Sequence, residues 1–275
     1  MKRVIVLTVI AGLLVAAAGL SQEQQPASFT FAVLGDTRPA GQEPYATALA
    51  LLAGDIGRSD AELVLGTGDY IDGSSNQAIV RAQFARFFEG LAPLQLVRSI
   101  PVAMAPGNHD IRGVPANEAI FEEYFGHLRF SFNRADCHFI VLNTDGARTS
   151  HRIDDAQMQW LRRDLEEHKD ARFTFVVLHQ PLFPVDGHVG SSLDAHPDRR
   201  DSLHALFVQQ GVDCVFAGHE HLYNHQERDG VHYFITGGGG APLYVPPERG
   251  GFHHYLLVRV TGDSYEVAIR SLQAP

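Results

Sequence analysis

Six residues whose side chains bind metals in proteins follow short apolar runs in this chain of 275 residues. Each apolar run breaks into Gly or Pro beside an oxygen or nitrogen ligand. The six residues are Asp36, Asp69, Asn108, His179, His219 and His221. Parallel strands carry functional residues at their carboxyl ends, so this layout predicts that the six side chains meet at one edge of a sheet.

The types of these side chains indicate the metals that they bind. Carboxylates, an amide and imidazoles suit Fe, Mn, Zn or Co rather than metals that prefer thiolates. Six ligands exceed the four that one tetrahedral ion takes. A carboxylate shared by two ions about 3.5–4 Å apart accounts for the excess, and such a pair stabilises the attacking and leaving oxygens in phosphoryl transfer. The set predicts a hydrolase with two divalent or trivalent ions, chosen from Fe, Mn and Zn.

Alternating strand and helix patterns position these ligands. Helical spacing predicts a helix in TALALLAGDIGR, helices over residues 77–88 and 200–209, and one capped by Asp154 or Asp155. We predict an α/β (α+β) fold in which two mixed β-sheets pack face to face with helices outside. The predicted strands cover residues 29–34, 61–65, 102–105, 130–133, 138–143, 173–178, 213–216, 233–236, 255–260 and 265–271.

Composition and charge exclude some classes of protein. Hydrophobic residues make up 45% of the chain and charged residues 20%, which is typical of a globular protein with a substantial core. The formal net charge of −10 disfavours a nucleic-acid-binding surface. Cys137 and Cys214 lie in apolar runs, so we expect buried side chains; whether they pair stays open. The sequence indicates no oligomeric state.

The first 21 residues have the pattern of an export signal. Lys2 and Arg3 precede an apolar stretch over residues 4–20, and small residues offer a cleavage site near residues 18–21. We expect an exported protein, periplasmic or extracellular, with a polar leader over residues 22–28 and one domain over residues 29–275. A retained single-span anchor is the alternative, but the apolar stretch is at the short limit for a bilayer and no stop-transfer pattern follows.

Five motifs occur in the order GDTR, GTGDY, GNHD, LHQP and GHEH, and TGGGGAPLY follows them. In this order they resemble the motifs of the calcineurin-like metallophosphoesterase superfamily, which includes the purple acid phosphatases. The resemblance implies a four-layer sandwich and an exported metal-dependent phosphoesterase that hydrolyses small phosphate monoesters through a metal-bridging hydroxide. A phosphodiesterase on the same dinuclear site is the alternative, and a non-catalytic protein that binds metal or anions is less favoured.

The resemblance also implies the role of each motif residue. The implied ligands form one site from Asp69, Asn108, His179 and His219 and another from Asp36 and His221, with Asp69 as the bridge. His109 would act near the leaving group as a general acid or as a stabiliser of the transition state, which the departing alkoxide needs. Asp110 would orient His109.

The first motif departs from the usual DxH pattern because Arg38 replaces the histidine. A guanidinium stays protonated and has no lone pair for a metal. Purple acid phosphatases also lack that histidine and use a tyrosine three residues after the bridging aspartate, where this chain has Asp72. Three interpretations stay open: Arg38 pairs with a nearby carboxylate, it clamps a substrate phosphate oxygen, or it marks a weakened metal site at Asp36 and His221.

The remaining histidines and glycines have simpler interpretations. We expect surface or strand positions for His138, His151, His168, His204, His232 and His253. His188 and His196 lie in a polar loop, where a substrate contact is one interpretation and a mobile loop is the simpler one. Residues 237–240 are all glycine, which favours a turn approached closely by another backbone over a phosphate cradle.

Overall fold

A computed structural model describes residues 28–39 and 47–272 of this chain. Its helices are α1 (Thr47–Arg58), α2 (Gln77–Leu91), α3 (Asn108–Ile111), α4 (Pro115–Phe125), α5 (Asp155–Glu167) and α6 (Pro197–Gln209). Its strands are β1 (Phe29–Leu34), β2 (Val64–Gly66), β3 (Val102–Met104), β4 (Phe130–Arg134), β5 (Cys137–Val141), β6 (Asp145–Gly146), β7 (Thr149–Ser150), β8 (Phe173–Val177), β9 (Cys214–Ala217), β10 (Tyr223–Arg228), β11 (Val231–Thr236), β12 (His254–Thr261) and β13 (Ser264–Ser271).

Two mixed sheets form the centre of the molecule. The first has the order β13-β12-β1-β2-β3, and the second has the order β10-β11-β9-β8-β5-β4. Strands β1, β2 and β3 are parallel, as are β5, β8, β9 and β11, so their carboxyl ends gather the loops that follow them. Helices α1, α2 and α4 pack on the outer face of the first sheet, and α5 and α6 on that of the second. The predicted four-layer sandwich is confirmed.

Aromatic side chains hold the two sheets together. The ring of Phe31, from the first sheet, lies 5.3 Å from that of Phe139 and 5.0 Å from that of Phe175, both from the second sheet. All three are fully buried or nearly so, and Phe216 adds an edge contact with Phe31 at 6.2 Å. Burying one such ring contributes roughly 1.5–3 kcal/mol, and edge-to-face pairs add to this. This layer fixes the two sheets relative to each other.

Local turns follow the chemistry of their residues. Ala135 and Asp136 join β4 to β5 with φ angles of 49° and 63°, so both occupy the left-handed region that a two-residue hairpin requires. The hairpin predicted there is confirmed. Helix α5 is capped by Asp154, whose side chain accepts a hydrogen bond from the amide of Gln157 at 2.7 Å.

Several elements were not predicted from the sequence: the longer ones are α4 and β10, and the short ones are α3, β6 and β7. Helix α4 begins with Pro115 in its first turn and is followed by Gly126, two signals that were available in the sequence. Strand β10 has the polar sequence YNHQER and lies at the edge of its sheet. Its backbone pairing with β11 defines it, and no apolar pattern marks such an edge strand in advance.

The two cysteines are buried, as the sequence predicted. Cys137 and Cys214 are both free and buried, and burial raises the pKa of each thiol. The proposed signal peptide, residues 1–21, lies outside the described residues, as does the polar leader 22–28 apart from its last residue. Among the described residues, no helix has the length and apolar character needed to cross a membrane.

A buried polar network joins α5 to the second sheet. His138 on β5 is fully buried, and its Nε2 lies 2.8 Å from the Asp164 carboxylate while its Nδ1 lies 2.6 Å from Asn133 Oδ1. Ser131 donates a hydrogen bond to the other Asp164 oxygen at 2.6 Å. The His168 ring stacks on His138 with centroids 4.0 Å apart. Both ring nitrogens of His138 and both carboxylate oxygens of Asp164 have partners within this network. The network therefore acts in stability rather than in catalysis.

We expect Asp164→Asn to lower the free energy of unfolding by about 2–3 kcal/mol at pH 7, because it removes a largely buried charge that accepts two hydrogen bonds. Burial opposes ionisation of Asp164, but His138 and then Ser131 hold its pKa below the usual value. A lowered pKa stabilises the fold above the unfolded-state pKa, and this contribution disappears as the pH falls through the folded-state pKa.

Urea unfolding at pH 7 and pH 3 measures this effect. The difference between the wild type and Asp164→Asn should shrink at pH 3. The control is Asp155→Asn, an exposed aspartate of the same helix. A difference that stays constant with pH would contradict the proposed role of the charge.

Candidate metal centre

The candidate ligands follow the carboxyl ends of strands in both sheets, as the sequence predicted. Three of them occupy the left-handed region of the backbone, which is uncommon for residues other than glycine: Asp36 has a φ of 55°, Asp69 of 57° and His219 of 71°. Such a conformation turns the chain sharply after the strand. Conformations of this kind persist where surrounding contacts enforce them, and they cluster at functional sites.

Glycines let the ligand loops approach one another. A Cβ atom on Gly218 would lie 2.2 Å from Oδ2 of Asp36, and one on Gly239 would lie 2.2 Å from the carbonyl oxygen of Gly35. The first contact explains the glycine of GHEH. The second is the close backbone approach predicted for the four-glycine run, and Gly239 also donates a hydrogen bond to that carbonyl at 2.9 Å.

His179 has the geometry of a metal ligand. Its Nδ1 lies 2.8 Å from the carbonyl oxygen of Thr67, which can only accept, so Nδ1 carries the proton. Its Nε2 then faces two more oxygens, Asn108 Oδ1 at 2.9 Å and Asp69 Oδ1 at 3.3 Å. A lone pair that faces two acceptors is unfavourable unless a metal ion or a second proton lies between them. The carbonyl contact is also the usual means of orienting a metal-bound imidazole.

His219 completes this group. Its Nε2 is buried and has no hydrogen-bond partner among the described residues, which is costly for a polar atom unless a ligand satisfies it. Its ring lies 5.0 Å from the ring of His179. Asp69, Asn108 and His179 therefore bring oxygen and nitrogen ligand atoms together, and the unpartnered Nε2 of His219 is a further candidate ligand.

Asp36 and His221 form a second pair of candidate ligands. Nδ1 of His221 lies 2.6 Å from the carbonyl oxygen of Pro242, so Nε2 is the free nitrogen, and it lies 3.5 Å from Oδ1 of Asp36. The amide of His219 donates to both oxygens of Asp36 at 3.0–3.1 Å. Ligand atoms of Asp36, Asp69 and His179 lie within 4.8 Å of one another. These three residues form a buried group that could hold a metal ion, and His221 is a further candidate ligand beside Asp36.

The electrostatics of the group favour a positive charge. Burial opposes protonation of His179, but Asp69 and then Asp36 raise its pKa to about 9, so a second proton takes the cation position in the metal-free site. His219 behaves in the opposite way, because burial and then the charge of His179 hold its pKa well below the usual value. Burial also opposes ionisation of Asp36, yet the nearby histidines, His221 first, lower its pKa.

Arg38 lies beside the carboxylate of Asp69. Its Nε lies 3.8 Å from Oδ2 of Asp69 and is buried with no hydrogen-bond partner among the described residues. Its outer nitrogens lie 3.5 Å from Asp72 Oδ1 and 3.1 Å from the hydroxyl of Tyr244. The contacts with carboxylates are long rather than tight and bidentate. The guanidinium is therefore held in place with donors still unused.

His109 lies at the mouth of the site with its side chain 25% exposed. Its amide donates to Oδ1 of Asp69 at 2.9 Å. Nδ1 lies 2.9 Å from the carbonyl oxygen of Asp72 and so carries the proton. Nε2 lies 4.0 Å from Oδ2 of Asp69, on the same side as Arg38. This placement allows a protonated Nε2 to reach a leaving oxygen.

The contacts of Asp110 differ from the expectation that it orients His109. Its carboxylate is fully buried and accepts hydrogen bonds from four backbone amides, those of Asp69, Tyr70, Ile71 and Gly107, at 2.9–3.3 Å. A carboxylate with these partners cannot contact a substrate. Asp110 is therefore a positioning residue for the Asp69 loop rather than a catalytic residue.

Two residues near the site, Glu220 and Tyr244, were not predicted from the sequence, whereas His188 was already a candidate for a substrate contact. Glu220, buried between the two histidines of GHEH, accepts hydrogen bonds from the amides of Val185 and Asp186 at 2.8 and 2.7 Å. It thereby holds the loop of His188, whose ring lies 4.0 Å from that of His219. Tyr244 stacks on His221. The place of Glu220 inside GHEH was a usable signal, and so was the place of Tyr244 at the end of TGGGGAPLY.

The sequence resembles known phosphatases over most of its described length. The profile of the family described as Calcineurin-like phosphoesterase matches residues 29–223. Purple acid phosphatase 21 of Arabidopsis thaliana is 28% identical over 221 residues, which cover 74% of this chain and 47% of that protein. Serine/threonine-protein phosphatase CPPED1 of Homo sapiens is 31% identical over 134 residues, 45% of this chain and 42% of that protein. The chain spans about half the length of the curated relatives that it matches.

Solved structures share the fold. Purple acid phosphatase PPD1 from yellow lupin superposes with a TM-score of 0.72 at 16% identity, covering 90% of this chain and 52% of that one. A dimetal phosphatase from Danio rerio gives a TM-score of 0.63 at 17% identity, covering 89% of this chain and 99% of that one. The family profile spans more than half of the chain, and its motifs supply the side chains of the site described above. The chain belongs to the calcineurin-like phosphoesterase family.

Proposed function

We propose that this protein is a metal-dependent hydrolase of phosphate monoesters with a dinuclear centre. The observation that carries the proposal is the lone pair of His179 Nε2, which faces the oxygens of Asn108 and Asp69 at 2.9 and 3.3 Å. A metal ion at this position makes the arrangement favourable, as does a second proton on His179 when no metal is bound. Its oxygen and nitrogen ligands suit Fe, Mn or Zn, and such ions supply a nucleophilic water at neutral pH and neutralise charge on the phosphoryl group.

The residues of this chain divide the remaining work. Asp69 would be shared by the two ions; Asn108, His179 and His219 would hold one of them, and Asp36 and His221 the other. His109 donates a proton from Nε2 to the leaving oxygen, while the carbonyl of Asp72 fixes its Nδ1. Asp110 holds the Asp69 loop through backbone amides.

We assign Arg38 to the substrate rather than to the metal. Its buried Nε–H has no partner among the described residues and points to the side of Asp69 where His109 also lies. A guanidinium binds two oxygens of a phosphoryl group in a planar fork, which fits these unused donors. The fixed charge also weakens binding of an ion at Asp36 and His221. The substrate clamp and the weakened metal site therefore both predict an effect of removing Arg38.

Monoesters are the favoured substrates, and export is the favoured location. Among the relatives, one from Allium cepa is named Phosphoenolpyruvate phosphatase, and it is 29% identical over 265 residues. Its name denotes a phosphate monoesterase. The signal-like residues 1–21 support an exported protein, periplasmic or extracellular. A phosphodiesterase with the same centre is the second candidate.

We expect the purified protein to hold close to two ions and to hydrolyse phenyl phosphate faster than bis-phenyl phosphate. His109→Ala should lower kcat about 10²- to 10⁴-fold, the range for loss of a general acid, with little change in metal content. Elemental analysis and steady-state kinetics measure both. The control is His127→Ala, at an exposed histidine outside the site.

Absence of both turnover and metal across Fe, Mn, Zn, Co and Ni would contradict the proposed function. Bound metal without turnover would instead support the non-catalytic alternative. Faster cleavage of the diester would support the phosphodiesterase.

We expect Arg38→Met to raise KM for phenyl phosphate about ten- to a hundredfold, because it removes a charged hydrogen-bond donor to the phosphoryl group. Metal content should not fall. The matched control is Arg112→Met, since Arg112 donates to the carbonyl oxygen of Asp72 from outside the ligand set. An unchanged KM would rule out the clamp.

Arg38→His separates the clamp from the weakened-site interpretation. If the arginine only leaves a ligand gap, the histidine variant should bind the second equivalent of metal more tightly in a titration and keep the wild-type KM. A raised KM with unchanged metal affinity would favour the clamp.

We expect removal of the export signal during secretion to leave a chain that starts between residues 19 and 22. Small residues there suit a signal peptidase, and the basic start suits the membrane surface. Amino-terminal sequencing of protein from the periplasm of an expressing bacterium tests this. Full-length protein retained in the membrane fraction would support the anchor instead.

A further inference from the structure

Tyr244 presents an immobilised aromatic ring beside the metal centre. Its ring stacks on His221 with centroids 4.3 Å apart and an interplanar angle of 16°. Its hydroxyl accepts a hydrogen bond from Nη2 of Arg38 at 3.1 Å. Even so, the residue is 54% exposed. One ring face is covered by His221, so the exposed area comes from the other face and the edges.

The position of this ring is set by contacts on two sides. On one side, the ring stacks on His221, whose Nε2 lies 3.5 Å from Oδ1 of Asp36. This contact connects the tyrosine to the candidate ligand Asp36. On the other side, the ring of His188 lies 6.5 Å away at an angle of 57°. An aromatic side chain that is fixed before binding loses little conformational freedom when a ligand covers it.

A chain of contacts joins Tyr244 to the residue proposed to protonate the leaving oxygen. Nδ1 of His109 contacts the backbone of Asp72 at 2.9 Å, and the Asp72 carboxylate lies 3.5 Å from Nη1 of Arg38. The same guanidinium binds Tyr244 through Nη2. Direct contacts therefore connect His109, through Asp72 and Arg38, to Tyr244, so the ring lies near the residue proposed to protonate the leaving oxygen.

We propose that Tyr244 forms a subsite for the leaving group and selects phosphate esters of planar aromatic alcohols, with an aryl group or nucleoside stacked on its open face. This inference rests on the proposed function, since it concerns the leaving group of that reaction. A flat ring is the shape that stacks on an exposed aromatic face, and an aliphatic alcohol of similar size gains less there.

Binding of two phosphonates, which are not hydrolysed, tests the subsite directly. Phenylphosphonate carries the ring and methylphosphonate does not, while both present the same phosphoryl group. We expect the wild type to bind phenylphosphonate more tightly. Tyr244→Leu should weaken phenylphosphonate about five- to tenfold, at the low end of measured stacking effects, and methylphosphonate less than twofold. Inhibition constants and calorimetry of the metal-loaded protein measure both.

Two further variants separate stacking from indirect effects. Tyr244→Phe keeps the ring and loses the bond to Arg38, so the preference for phenylphosphonate should persist. Tyr124→Leu removes an exposed tyrosine of α4 and should change neither constant. Equal weakening of both phosphonates in Tyr244→Leu, or loss of metal from that variant, would overturn the subsite and leave Tyr244 as a support for Arg38 or His221.

Failure of the subsite is distinguishable from failure of the proposed function. If the wild type hydrolyses phosphate esters but shows no preference for phenylphosphonate, the subsite is wrong and the function stands. If it hydrolyses no ester yet binds phenylphosphonate through Tyr244, the subsite stands and the catalytic role is wrong. A wild type that binds neither phosphonate contradicts the subsite.

Discussion

The site depends on the way in which Asp69 is held. Its carbonyl oxygen accepts hydrogen bonds from the amides of Thr37 and Arg38 at 3.0 and 3.1 Å, its amide donates to Asp110, and its Oδ1 accepts from the amide of His109. One residue thus ties the loops after three strands of the first sheet. A buried carboxylate costs several kcal/mol unless hydrogen bonds and positive charge compensate for it. These amides and the cation position beside Oδ1 supply that compensation.

The same constraint explains why the two metal positions are unequal. At one, the carbonyl oxygen of Thr67 fixes the imidazole proton of His179, and its free nitrogen faces oxygens of Asn108 and Asp69. At the other, the guanidinium of Arg38 lies 3.8 Å from Asp69 Oδ2, where a DxH motif would provide another imidazole. A permanent positive charge there does part of the electrostatic work of an ion. It also retains donors for a phosphoryl oxygen, so the substitution changes the balance between metal and substrate rather than abolishing the site.

Chemistry and selectivity have separate structural sources in this chain. The metal ligands follow strands packed around an aromatic core, which holds them rigidly. The rings of His188 and Tyr244 instead come from loops, one after His179 and the other after His221. Polar contacts fix these loops, because Arg38 holds the tyrosine hydroxyl and Glu220 holds the amides before His188. Loops on a rigid scaffold are where related proteins differ in substrate. The rings of Tyr244 and His188 are therefore the part of this site that we propose distinguishes one leaving group from another.

The sequence by itself determined the family, the four-layer fold and the six candidate ligands, because apolar strands followed by Gly and a polar residue are local patterns that the chain displays directly. Boundaries shifted by a few residues, and β10 was missed because pairing with a neighbour, not its polar sequence, makes it a strand. Only the tertiary structure decided that Asp110 faces backbone amides, that Arg38 keeps unused donors beside Asp69, and that Tyr244 covers His221. Arg38 and Tyr244 are 206 residues apart in the chain, and contacts of that separation depend on the packing of both sheets, which no local pattern records.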